Sequence, residues 1–218
     1  MKYFINLVLL FLSYTAFAKF YPGTIYLKNG VKIEATIEVP KQPTDLYLNY
    51  ASNNKKSFFK SFEVDVIVVK LKEDNVVVMS YLEIENGSDE GKSNWAILQY
   101  STKAIDVYTT AQNYNIDKNH NLEISTSGLM LNRGLVYYFK KKDLNKLYKI
   151  FEYQDGLVDR KSFYENVAFY CKDEPRLVSS VLNKEFTWQD IYKIAEVYNT
   201  FKEYRKAKQS QNNTVTSN

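Results

Sequence analysis

The stretch GTIYLKNGVKIEATIEV, Gly23–Val39, decides how this chain is read. Asn29-Gly30 stands between two short runs of alternating residues. That dipeptide is the strongest local signal for a hairpin turn, because both residues accept positive φ. In the second run Val31, Ile33, Ala35, Ile37 and Val39 share one side, and Lys32, Glu34, Thr36 and Glu38 share the other. A period of two with one apolar and one charged face predicts antiparallel strands buried on one side only. Pro40 and Pro43 end the run.

The same pattern continues towards the C-terminus. Leu46–Tyr50 predicts a third strand, followed by a polar loop over Ser52–Ser57. Ser61–Glu85 reads as a second hairpin turning at Lys72–Asn75, in strands rich in Val and Ile that suit a pleated surface. After a loop at Asn86–Asn94, Trp95–Ser101 and Lys103–Thr110 predict two more strands. Asn113–Asn121 reads as a polar loop, and Gly128–Lys142 as a last hairpin about Asn132-Arg133-Gly134. Lys142–Phe151 suits either a strand or a helical turn.

From Asp159 the apolar spacing becomes helical. Phe163, Val167, Tyr170 and Cys171 fall on one helix face. Asp173-Glu174-Pro175 opens a second helix with the stripe Leu177, Val178, Val181 and Leu182. Thr187–Asp190 resembles a capping box, with Asp in the place of Glu, ahead of the stripe Ile191, Ile194, Ala195, Tyr198 and Phe201. The expected fold is α+β: an antiparallel sheet or partly closed barrel, then about three C-terminal helices. Residues 19–151 are the β-rich region, 152–208 the helical region packed on it, and 209–218 a disordered polar tail.

The first 18 residues have the layout of a cleavable export signal. Lys2 precedes an apolar run from Tyr3 to Leu12, and Ala16-Phe17-Ala18 offers a small-x-small site. The run is too short for a spanning helix, and no later apolar stretch is longer than a strand. The sequence therefore predicts export to the periplasm or beyond, cleavage after Ala18, and no integral membrane segment afterwards. The single Cys then forms no internal disulfide, so packing must supply the stability.

Charge argues against a nucleic-acid partner. Without Lys2 the chain holds 28 basic against 25 acidic residues. Lys202–Asn218 carries four basic residues and one acid, so the body before it is neutral. Nucleic-acid binders cluster their basic residues on a surface. In the body the one tight run is Lys140-Lys141-Lys142, followed by Asp143, and it reads as a solvated strand end.

Candidate chemistry is sparse. Cys171 lies near a helix C-terminus beside Asp173 and Glu174, which all raise a thiol pKa, so it reads as a packing residue. A Cys-His dyad would require His120, the one histidine, in a polar loop. Asp117, Asn119 and Asn121 match the first three side-chain positions of a calcium loop, but Leu122 and Gly128 stand where Gly and Glu are needed. The acid pairs Glu63/Asp65 and Glu83/Glu85 look like solvent faces of strands, although a hydrolase would need two carboxylates across a cleft. Aromatics are abundant, 19 Tyr and 13 Phe, and Trp95 and Trp188 stand at the starts of elements. Exposed aromatics can anchor a partner. No catalytic, cofactor-binding or metal-ligating residue is assigned, and no cofactor is expected.

The layout resembles a group of uncharacterised exported proteins of Bacteroidota. The residues that carry the resemblance are Gly23-Thr24-Ile25, Asn29-Gly30, Cys171 with Pro175-Arg176-Leu177, and Tyr198-Asn199. Ala35 departs from the pattern where a second glycine would follow the hairpin. The resemblance implies export and an α+β build, and no activity. The expectation is a non-enzymatic binding or interaction protein of the cell envelope with a protein partner there. A carboxylate-dependent hydrolase and a structural subunit of an envelope assembly are the alternatives. An exposed aromatic patch would favour binding, and convergent acids with shifted pKa values would favour the hydrolase.

Overall fold

A computed structural model describes residues 19–125 and 134–215 of the chain. The expected export signal at 1–18, Gly128 and the first arm of the last hairpin candidate lie outside them. The chain is α+β, a large sheet followed by helices. Its first strands are β1 (Phe20–Leu27) and β2 (Lys32–Glu38), and Gly30 turns between them at φ 86°. Burial along β2 follows the expected face as a gradient. Val31 at the tip is exposed, Ile33 and Ala35 are half-buried, and Ile37 and Val39 are buried.

The expected loop at Ser52–Ser57 is instead a tight hairpin between β3 (Tyr47–Ser52) and β4 (Lys55–Lys60). Asn53 and Asn54 both take positive φ, 50° and 63°, the backbone that a two-residue hairpin turn demands. A 3-10 turn at Ser61–Glu63 leads into β5 (Val64–Lys72), which pairs with β6 (Asn75–Ile84). Next come β7 (Ser93–Ser101) and β8 (Ile105–Thr110). The polar loop expected at Asn113–Asn121 is also a hairpin, β9 (Asn113–Ile116) with β10 (Leu122–Ser125). Asp117 holds its turn by accepting the N–H groups of Asn119 and Asn121, each at 2.8 Å. The ambiguous Lys142–Phe151 segment resolves as strand. β11 (Leu135–Lys141) pairs with β12 (Lys146–Gln154), and β13 (Leu157–Val158) adds a short edge.

Eleven of these strands form one sheet, in the order β13-β12-β11-β8-β7-β6-β5-β1-β2-β3-β4. Neighbours are antiparallel. One extra contact is parallel: Lys146 and Leu147 of β12 lie beside Glu83 and Ile84 of β6. That contact closes β6, β7, β8, β11 and β12 into a five-strand ring filled by Leu82, Ile84, Ala96, Tyr108, Tyr138 and Leu147. The opposite faces of β6 and β7 present Met79, Tyr81, Trp95 and Ile97 to a second core shared with β1, β2, β3 and β5. Strands buried on both faces read without alternation, as in the continuously buried Met79–Leu82 of β6, whereas Val76 at the start of the strand is exposed. Each large side chain sealed in this way contributes about 1.5–3 kcal/mol.

The helices cover the outer face of β8, β11 and β12 and build a third core. They are α1 (Arg160–Tyr170), α2 (Pro175–Leu182) and α3 (Ile191–Val215). Asp159 caps α1 by accepting from the N–H groups of Lys161 and Ser162, and the Thr187–Asp190 capping box forms. Four expectations shift. The β-rich part extends to Val158 rather than residue 151, because β12 and β13 run on. Leu182 is exposed and leaves the stripe of α2. The backbone of α3 continues to Val215, past Lys208, through residues that include no Gly or Pro to stop it. Lys141 and Lys142 are not a solvated strand end: Lys141 pairs with Asp173 at 3.1 Å and Lys142 with the buried Asp106.

Candidate functional site

The residues weighed for chemistry are dispersed. Cys171 is fully buried under the helices, and burial pushes its thiol pKa up to about 12, with the charge of Lys141 a weaker opposing influence. His120 stands edge-on to Tyr21, 5.7 Å between ring centres, at the turn of the β9–β10 hairpin. Tyr21 belongs to the core of the first strands and Cys171 to the helical core, so the fold does not bring the pair together. The Asp117 carboxylate is spent on its own turn, and the N–H of Asn121 foremost holds its pKa below the usual value. Glu63 accepts from the Lys60 N–H at 2.9 Å, and Glu83 pairs with Lys146 at 2.8 Å. Among the described residues no three His, Cys, Asp or Glu lie together as a metal site. Trp95 is fully buried, and Trp188 packs on Phe151 and Tyr153.

What does assemble is an aromatic face at the end of the sheet. β4 is the terminal strand and pairs with β3 alone among the described residues. On its outward face Phe58 meets Tyr47 edge-on, 5.3 Å between centres. Lys60 lies opposite Tyr47 and places its ammonium 5.6 Å from the ring centre of Phe62. Leu46, Tyr47, Phe58 and Phe62 are 65, 54, 57 and 60% exposed. Apolar side chains this exposed and this close together are uncommon on a protein that has no partner for them. A cleft of about 430 Å3 adjoins them, between Glu38, Pro40, Gln42 and the outer side of Tyr47 and Asn49.

The platform under this face is fixed by hydrogen bonds. Asp45 accepts the N–H groups of Lys41 and Gln42 on its carboxylate, at 2.7 and 3.0 Å. Its carbonyl accepts from the Ser61 hydroxyl at 2.7 Å and from the Trp95 indole N–H at 3.1 Å. The Trp95 and Tyr114 backbone N–H groups donate to the carbonyls of Pro43 and Lys41, and Ser61 N–H donates to Leu46. Buried Trp95 therefore holds the loop that presents Leu46 and Tyr47. On the opposite face of the hairpin Tyr50 and Phe59 stack at 4.8 Å and anchor β3 and β4 to the core.

Charge adds a direction. Lys55–Lys60, KKSFFK, holds three lysines and no acid. Edge lysines discourage two copies of a strand from pairing with each other. The face was not legible as a site in the sequence, because β4 reads there as part of a loop. The Asn53-Asn54 pair is the signal that could have revealed it, since it marks a hairpin as Asn29-Gly30 does.

No protein family, no curated protein and no solved structure matches this chain. No helix among the described residues is long and apolar enough to cross a membrane.

Proposed function

We propose that this chain is an exported, non-enzymatic binding protein of the cell envelope, and that it takes an extended segment of a partner protein onto the edge of β4. The observation that carries the reading is the coincidence of a terminal strand with an exposed aromatic face on a fixed platform. An edge strand offers backbone N–H and C=O groups for strand addition, and neighbouring side chains supply specificity. The three lysines of β4 repel a second copy of the same strand, so the occupant is a foreign segment. Its chemistry is apolar residues alternating with acids: the apolar ones lie on Tyr47 and Phe58, the acids on the other face meet Lys55, and Lys56 and Lys60, which flank Phe58 on the aromatic face, add their positive charge to the same edge.

Export is supported by the pattern of the first 18 residues and by the resemblance to exported proteins of Bacteroidota. N-terminal sequencing of the protein from an envelope fraction tests it. A start at Lys19 agrees, and a retained Met1 in the cytoplasm refutes it. Binding is tested by titrating the purified chain with a synthetic peptide alternating Val and Glu, and with its Val and Lys counterpart. The acidic peptide is expected to bind saturably and the basic one at least about tenfold more weakly. Equal affinities, or no binding of either, refute the reading.

A further inference from the structure

The five-strand ring is open at one end, and that end is built differently from its apolar filling. Asn94 on β7, Thr110 on β8 and Tyr138 on β11 alternate in phase with Ala96, Tyr108 and Val136, whose side chains meet in the ring. All three line a cleft of about 300 Å3, completed by the β6–β7 loop, Gly134 and Glu152. Asn94 is only 6% exposed, yet its side-chain carbonyl is buried without a hydrogen-bond partner. Leaving a buried acceptor unmade is costly, so such an atom is expected to meet a donor when the protein works. The hydroxyls of Thr110 and Tyr138 lie beside each other at 3.3 Å, and either one can donate.

The charges at the mouth are compensated within the chain. Lys92 pairs with Asp89 at 2.7 Å. Glu152 pairs with Lys149 at 2.8 Å and accepts the Gly134 N–H at 3.1 Å. Among the described residues the other groups that line the cleft are neutral: a carboxamide with an unmet acceptor, the hydroxyl residues Ser88, Thr110 and Tyr138, and the apolar surfaces of Val136 and Ala111. A ligand that fits offers hydroxyl donors and acceptors around a compact body with an apolar flank, and carries no net charge. The cleft lies at the lower limit of small-molecule sites, about 300 Å3, which suits a single ring. We propose that the open end of the barrel binds one neutral sugar ring. This site is separate from the β4 edge and does not rest on the reading of that edge.

The test is a titration of the isotope-labelled, full-length mature protein with glucose, N-acetylglucosamine, glucosamine and glucuronate, followed by amide NMR. At least one neutral sugar is expected to shift the Asn94 side-chain amide and the backbone signals of Thr110 and Gly134 saturably. The charged sugars are expected to bind about tenfold more weakly, or not at all. Asn94→Leu should abolish the effect. Tyr138→Phe keeps the buried ring, should weaken binding about tenfold, and carries the test if Asn94→Leu does not fold. The proposal is overturned if no sugar produces saturable shifts, if a charged sugar binds tightest, or if the shifts survive Asn94→Leu. Shifts confined to Tyr47 and Phe58 would also overturn it, because they would place sugar on the β4 face instead. A cleft that holds only water would give no sugar shifts and a more stable Asn94→Leu.

Discussion

The ring of Phe58 stands edge-on to Tyr47 across the last two strands of the sheet, with more than half of each side chain in solvent. Such a pair adds little to folding, because most of its apolar surface stays wet. Replacing Phe58 and Phe62 by Ser is therefore expected to change unfolding free energy by no more than about 0.5 kcal/mol each. Binding of the alternating acidic peptide should fall about tenfold or more. Paired denaturant melts and binding isotherms separate the two. A large loss of stability with unchanged binding would assign these rings to the core instead.

Gly23 illustrates a different constraint. A Cβ there would lie 2.5 Å from the carbonyl oxygen of Val68 on β5. That atom is backbone within the β1–β5 pairing and cannot rotate away. Gly23→Ala is expected to cost about 1–3 kcal/mol through overpacking. Gly30→Ala meets no atom within 4 Å, but sits at φ 86°, and should cost about 1 kcal/mol through backbone strain. Urea unfolding of both variants checks the ranking of close approach over turn strain.

Asp173 ties the α1–α2 loop to its surroundings, accepting from Lys141, Lys202 and the Tyr198 hydroxyl. Burial alone would raise its pKa. Hydrogen bonds from Lys202, Lys141 and Tyr198 outweigh that and hold it at about 2, below the ordinary 3.8. The folded pKa is the lower one, so the stabilisation is complete above the ordinary value and is lost as the pH falls from there towards 2. Asp173→Asn should destabilise the protein by about 1–2 kcal/mol at neutral pH, a figure reduced because a third of the side chain meets solvent. Near pH 2 variant and parent should unfold alike. A pH-independent difference would show that the carboxylate charge is not what matters.

The hairpins at Asn29-Gly30 and Lys72–Asn75 and the helix faces through Phe163 and Ile191 were legible because each repeats one period over many residues. The ring was not. Its closure depends on Lys146 and Leu147 meeting Glu83 and Ile84 in parallel, about 60 residues away in sequence, and no local pattern encodes such a pairing. β4 and β9 were missed for another reason: their polar residues suggest loops, while the turn geometry at Asn53-Asn54 and Asp117 makes hairpins. The candidate face was hidden with β4.

Cys171 answers to burial before anything else. With its thiol pushed up to about 12 and its side chain sealed under the helices, it should resist thiol reagents at neutral pH in the folded protein. It should react fully in denaturant. Cys171→Ser should destabilise by about 1–3 kcal/mol, because a hydroxyl there is buried among apolar groups. Rapid labelling of the native protein would contradict the packing role.

Amide hydrogen exchange on β4 tests strand addition most directly. The β4 amides that do not bond to β3 face the open edge and should exchange fast in the free protein. Addition of the alternating Val and Glu peptide is expected to slow exchange at those alternate positions from Lys55 to Lys60, and to leave β13 unchanged. If the peptide binds while the β4 edge amides exchange as before, the partner does not join the sheet, and the proposed mode of binding is wrong.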